Sequence, residues 1–275
     1  FSKITINHLE SYSVIYPPIR AFYVIMTACT PKISVVIPVR NGEAFLAKAI
    51  ESVLCQTFAN FELLVINDGS IDSSVAIVEE YSRKDQRVFL VNAAKSGFAN
   101  VLNEGIDKAR AQYIARLDSD DEMLPERLSV QYEFLEQNCE IDLIATHIYY
   151  IDQYGKNRGE GGSAYHSPEE ILAEQKSELV IGFQHPSVMF RKSAVVKMGG
   201  YRERLWPVED VDLWTRMVEG GCRLTVLETV LTNYRVHPGA GSRSYESILK
   251  LDWVKACVVC RREQRPEQTW EEFLD

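Results

Sequence analysis

Three carboxylates within four residues, Asp118-Ser119-Asp120-Asp121, form the densest chemical signal in this 275-residue chain. Charges packed so closely repel one another unless a cation or solvent compensates. Hard carboxylate oxygens suit Mg2+ or Mn2+, ions that commonly leave positions open for phosphate oxygens. A solvated acidic loop is the alternative reading. A second acidic pair, Glu209-Asp210, falls in the first turn of an expected helix, where it would complement the helix dipole. His237 follows an extended run beside Arg235, with Ser242 close behind, a setting suited to an anion-facing loop; a lone histidine is more often structural. Lys95 and Arg116 either face phosphates or are surface charges.

These residues need a scaffold, and the apolar pattern supplies one. Ile33 to Pro38 reads as a buried strand stopped by proline. Between Glu43 and Phe58 the apolar residues Phe45, Leu46, Ala49, Ile50, Val53 and Leu54 recur at helical spacing. A second strand, Phe61 to Ile66, runs into the turn Asn67-Asp68-Gly69-Ser70 and a helix that Asp72 or Ser73 would cap. Val88 to Val91 is a third strand, Phe98 to Arg110 a helix, and Tyr113 to Leu117 a strand that enters the acidic run. Pro125 suits the first turn of the next helix. Alternation of this kind implies βαβ units and a mainly parallel sheet with helices on both faces. Ligands bind outside the carboxyl ends of such strands, where Asp68 and residues 118 to 121 both fall.

Past Ile151 the pattern loosens around Gly155, Gly159, Gly161 and Gly162, ahead of a helix starting near Pro168. His185 to Phe190 reads as a strand, Val208 to Val218 as a helix, Leu224 to Arg235 as extended chain, and Tyr245 to Arg262 as an amphipathic tail.

Several motifs, taken in order, resemble family 2 glycosyltransferases of the GT-A fold from Pro31 to about Ser244. Ile-Pro-Val-Arg-Asn-Gly-Glu (37 to 43), Asn-Asp-Gly-Ser-Ile-Asp (67 to 72) and Ile-Ala-Arg-Leu-Asp-Ser-Asp-Asp (114 to 121) are similar to the nucleotide-binding half. His185-Pro186-Ser187-Val188-Met189-Phe190, Gly199-Gly200-Tyr201, Glu209-Asp210-Val211-Asp212-Leu213-Trp214 and Tyr234-Arg235-Val236-His237 are similar to the acceptor half. The resemblance implies a nucleotide-binding half over 31–121, an acceptor half over 122–244, a helical tail over 245–275 and an extension over 1–30. It also implies roles. Asp120 would be the main ligand of Mn2+ or Mg2+, and Asp118 would share the metal or contact the ribose. Pro38, Val39, Arg40 and Glu43 would line the nucleoside pocket, with Asp68 on the base and Ser119 and Lys95 nearby. His237 would complete the metal or diphosphate site, and His185 would be acceptor-side or structural. Asp210, rather than its neighbour Glu209, would deprotonate the attacking hydroxyl, and a single displacement would invert the anomeric centre. Many members carry Asp-Asp-Gly-Ser where this chain has Asn67, which keeps the shape and removes a charge. The donor would be a nucleotide diphosphate-sugar, with a UDP-sugar favoured, and the acceptor a cell-surface or lipid-linked saccharide.

A formal charge of −9 excludes a nucleic-acid partner held by its phosphates. Cys29, Cys55, Cys139, Cys222, Cys257 and Cys260 are too sparse for a disulfide framework and read as reduced thiols of a cytoplasmic protein. Cys257 and Cys260 stand three apart, so they share one helical face. The apolar run from Ile19 to Cys29 contains Arg20 and falls short of the ~20 residues that span a bilayer, and no secretory leader is expected. The amphipathic tail suits either core packing or peripheral contact with the inner membrane face. Two rival functions share the acidic site. A sugar-phosphate nucleotidyltransferase needs a glycine-rich turn, whereas Val39-Arg40-Asn41-Gly42 offers one glycine. A catalytically silent sugar-nucleotide module has no need of Asp118, Asp120 and Asp210 together.

Overall fold

The computed structural model describes residues 30–94, 96–238 and 245–275. Lys95, Ser242, Cys29 and the extension up to residue 29 lie outside the described residues. Strands β1 (Ile33–Val39), β2 (Phe61–Asn67), β3 (Val88–Asn92) and β4 (Tyr113–Arg116) run parallel in the order β3-β2-β1-β4. Helices α1 (Leu46–Leu54), α2 (Ser74–Lys84) and α3 (Phe98–Lys108) are the crossovers between them. Every residue of β1 and β2 is buried, as central parallel strands covered on both faces must be. Their side chains alternate between two cores. Val35 and Ile37 pack with Leu46, Ala49, Ile50 and Val53 of α1, whereas Val36 packs with Leu102 and Ile106 of α3. Gly105 makes the second contact possible, because a Cβ there would lie 2.5 Å from Val36 Cγ1.

The same sheet continues into the second half of the chain. This half comprises β5 (Glu122–Met123), α4 (Arg127–Gln137), β6 (Leu143–Asp152), β7 (Asn157–Gly161), α5 (Pro168–Glu178), β8 (Met189–Arg191), α6 (Lys192–Lys197), α7 (Glu209–Glu219) and β9 (Leu224–Val236). Beyond β4 the order is β8-β6-β9-β5, and β7 pairs with β6. Strand β8 is antiparallel to both its neighbours, and β6 and β9 are parallel to each other. The result is a mainly parallel mixed sheet with helices on both faces, as expected from the sequence.

Some local expectations are corrected. His185 to Phe190 is not one strand: His185–Ser187 forms a 3-10 turn and only Met189 onward pairs. The Val188 carbonyl is taken by Arg116 N at 3.1 Å and by the Arg127 guanidinium, and Pro186 has no N–H to offer a ladder. Pro125 stands before α4 rather than in its first turn, its carbonyl accepting from Thr57 N at 2.9 Å. Neither Asp72 nor Ser73 caps α2 from the N-cap position; Asp72 instead accepts from Ser74 N and Glu43 N, both at 3.0 Å.

Helices α8 (Tyr245–Arg262) and α9 (Trp270–Leu274) form the tail. Trp253, Val254 and Cys257 of α8 pack on Leu205 and Val208, just ahead of α7. Glu267 fastens the tail by accepting from Arg202, Arg204 and Arg261 at 2.8, 2.6 and 2.5 Å. The apolar face of α8 is therefore used against the protein, and Cys257 and Cys260 are both buried in it as free thiols. Among the described residues no helix is long and apolar enough to cross a membrane.

Candidate active site

The carboxyl ends of β1, β2 and β4 meet at one edge of the sheet. Asp68 N donates to Val39 O at 2.9 Å, and Leu117 N donates to Val36 O at 3.1 Å. The loop after β1 is zipped to the loop after β2: Asn41 N donates to Ser70 Oγ, and Ile71 N donates to Asn41 Oδ1. Asn67 holds the turn, accepting from Ser70 N at 2.9 Å and donating through Nδ2 to Asn92 Oδ1 at 2.9 Å. A carboxylate could not make that second bond.

Pro38 and Val39 are buried at the base of this crevice, and exposed Arg40 reaches Asp68 Oδ2 at 3.7 Å. Ser119 packs against the β1 loop, where a Cβ on Gly42 would lie 3.3 Å from its hydroxyl. Exposed Glu43 also stands at this crevice, and its Oε2 accepts from Ser73 N at 3.0 Å, bracing the entry to α2 through one oxygen.

The acidic run follows β4 directly. Ligand oxygens of Asp118, Asp120 and Asp121 lie within 4.8 Å of one another. Asp118 pairs with Arg116, and Asp120 Oδ2 meets His237 Nε2 at 2.9 Å. Buried Asp121 accepts from Arg235 N at 2.7 Å through Oδ1, while its Oδ2 has no partner. Burial and the neighbouring carboxylates push Asp121 well above the usual carboxylate range, and burial raises Asp118. Three clustered hard oxygens, one of them orphaned, are a donor set that fits Mg2+ or Mn2+.

Arg235 and Arg116 are both buried, so the surface-charge reading of Arg116 does not hold. Arg235 is 1% exposed, donates to the Asp120 carbonyl at 2.7 Å and pairs with Glu122. Pairing of β5 with β9 lays it against the acidic loop, where it also covers the Phe45 ring at 4.7 Å. Arg116 is 2% exposed and sits among the acids rather than on the surface. Its charge acts on Asp118, Asp121, Glu209 and Asp210 alike, lowering the pKa of each.

Glu209 and Asp210 open α7. Glu209 is 4% exposed, and its Oε2 has no hydrogen-bond partner. Burial pushes Glu209 up to about 8, helped by the Asp210 charge; burial pushes Asp210 up to about 6 against a bond from Val211 N and the Arg116 charge. Facing them is His185, with Nδ1 3.8 Å from Glu209 and 4.0 Å from Asp210. Its Nε2 meets the Tyr201 hydroxyl at 2.9 Å, and burial holds the imidazole well below its ordinary pKa, so it is neutral. Trp214 is fully buried behind, edge-on to both His185 and Tyr201, and so supports the site from the core.

A model of the family described as "Glycosyl transferase family 2" matches residues 34–199. The chain belongs to that family. The putative glycosyltransferase EpsE of Bacillus subtilis is 32% identical over 242 residues, covering 86% of this chain and 84% of EpsE. The O-antigen biosynthesis glycosyltransferase WbnJ of Escherichia coli is 31% identical, covering 77% and 82%. Among solved structures, S. aureus TarS 1–349 in complex with UDP-GlcNAc superposes with a TM-score of 0.69 at 20% identity. The overlap takes in 83% of this chain and 66% of that one, and it confirms the glycosyltransferase fold.

Within this family 2 glycosyltransferase, sequence reasoning overlooked the residues that hold the two acidic groups in register. Arg127 is completely buried and donates to the carbonyls of Arg116, Pro186 and Val188 and to Thr232 Oγ1. Nothing in its local sequence marks it out. Tyr201 was legible as part of a motif without a role. The glycines before it, with φ of 79° and 70°, were the available signal, since they turn the chain so that Asn103 can clamp the Tyr201 backbone at 2.8 and 2.9 Å.

Proposed function

We propose that this glycosyltransferase moves a sugar from a uridine diphosphate-sugar to a saccharide hydroxyl with inversion at the anomeric carbon. The observation that carries the reading is two separate acidic groups in one fold: Asp118, Asp120 and Asp121 with ligand oxygens within 4.8 Å of one another, and buried Glu209-Asp210 facing His185. The complexes of TarS with UDP and with UDP-GlcNAc support the nucleotide, and likeness to the O-antigen biosynthesis glycosyltransferase WbnJ supports the saccharide acceptor.

In this reading the nucleoside lies over Pro38 and Val39 with Asp68 and Arg40 at its edge. Asp120 and Asp118, with Asp121 behind them and His237 on Asp120, hold Mg2+ or Mn2+. A bound ion supplies charge compensation for the leaving diphosphate. Asp210 removes the acceptor proton, because its raised pKa still leaves it ionised at neutral pH while making it a better base than an exposed aspartate. Glu209, protonated at neutral pH, adds no second negative charge beside it.

Calorimetric titration of UDP with and without Mn2+, on the wild type and on Asp120→Ala, tests the donor site. Expected is UDP binding that needs both the ion and Asp120. Binding that ignores both removes the metal assignment, and no binding under any condition removes the donor site.

A further inference from the structure

Between α5 and the turn leading to His185 lies an open groove of about 790 Å³, within the size range of small-molecule sites. Its walls are the loop over residues 162–165, one face of α5, and residues 182–184. Tyr165 stands on the loop wall, its ring edge-on to buried Phe183 at 6.2 Å. Glu170 and Glu174 stand on the α5 wall, four residues apart and therefore on one side of the helix. Half-buried Gln184 lines the inner end, and its side-chain amide has no hydrogen-bond partner among the described residues.

That inner end neighbours the acidic pair. Gln184 directly precedes His185, whose Nδ1 lies 4.0 Å from Asp210 Oδ2, and a Cβ on Gly182 would lie 3.6 Å from Val211 Cγ2, the residue after Asp210.

We infer that this groove holds an uncharged saccharide as acceptor and presents one of its hydroxyls to Asp210. The inference rests on the transferase reading above and names the chemistry of its acceptor. A pyranose offers an apolar C–H face and an edge of hydroxyls. Tyr165 and Phe183 give the apolar wall. Gln184 both donates and accepts, and the carboxylates of Glu170 and Glu174 accept from hydroxyls. No lysine, arginine or histidine lines the groove, so phosphate or a uronic acid would meet two carboxylates with no compensating cation. An acceptor carried on a diphosphate must keep that group outside.

Saturation-transfer NMR tests this with methyl glycosides of glucose, galactose and N-acetylglucosamine, and with glucose 1-phosphate and methyl glucuronide as anionic counterparts. Each is measured on the wild type, Gln184→Ala and Glu174→Lys, with UDP titrated in the same samples. At least one neutral glycoside is expected to receive saturation from the wild type, while the anions do not. Gln184→Ala weakens that binding about fivefold, the loss of roughly one hydrogen bond, with UDP affinity unchanged. Glu174→Lys admits the anions. The proposal is overturned if no neutral glycoside binds the wild type, if anions bind it equally well, or if both variants behave as wild type. UDP binding without any saccharide binding removes the groove and leaves the donor site. Saccharide binding without UDP binding removes the transfer reading and, with it, delivery to Asp210.

Discussion

The acidic loop after β4 and the acidic pair that opens α7 share the influence of Arg116, and burial raises carboxylates in both, yet they differ in crowding and in access to solvent. Asp118, Asp120 and Asp121 crowd one another, and the loop is half open to solvent except at Asp121. Glu209 and Asp210 are raised chiefly because they are taken out of water, with a neutral imidazole opposite. Crowding is relieved by a cation and burial by a proton. In the proposed reading one region gathers positive charge and the other exchanges hydrogen ions, which is the division of labour that transfer to a hydroxyl requires.

Disabling the proton side alone should have the largest effect. Asp210→Asn is expected to lower kcat by on the order of 10²–10⁴-fold, the usual worth of a general base, with UDP affinity by calorimetry unchanged. Normal turnover in that variant would move the base elsewhere. On the cation side, Asp121→Asn removes a buried carboxylate oxygen from the crowded cluster. The Mn2+ concentration giving half-maximal UDP binding should rise about tenfold while the acceptor KM stays constant, and a change in acceptor KM would break the separation of the two regions.

The pH dependence sharpens the contrast. With Asp210 near about 6, kcat should climb about tenfold per pH unit below 6 and flatten above it, as the base loses its proton. Stability should run the other way. Glu209 holds its proton to about 8 in the folded chain and only to about 4.5 when unfolded, so folding binds a proton between these values. Stability contributed by this group is therefore lost as pH rises through that window, at up to about 1.4 kcal/mol per unit. Glu209→Gln should flatten the corresponding slope of Tm against pH, and an unchanged slope would show the residue to be ionised throughout. Smallest is Tyr201→Phe, which frees His185 Nε2. The loss of about 1 kcal/mol of orientation should cost roughly fivefold in kcat with the donor KM untouched.

Much of this was legible in the chain because the first half is locally consistent. β-branched runs such as Ile33 to Val39, turn residues such as Asn67 to Ser70, and carboxylates at a strand end all point the same way. Asp118, Asp120, Asp210 and His237 were found from type and motif, and the structure gathers them. What escaped depended on long-range partners. Nothing local shows that Arg235 turns inward against the Asp120 carbonyl, or that Glu43 spends its carboxylate on Ser73 N. The strand expected at His185 failed for the same reason, since its carbonyls are claimed by a side chain from α4.

That α4 side chain, Arg127, bears on how the molecule comes apart. Its guanidinium joins the end of β4, the 3-10 turn and β9, three stretches distant in sequence, without a counter-ion at hydrogen-bonding distance among the described residues. Burial pulls it down to about 9 and the Asp121 charge works the other way, while the carbonyls that accept its hydrogen bonds converge only when all three stretches are in place. The stretches before and after α4 are therefore expected to melt together in one transition.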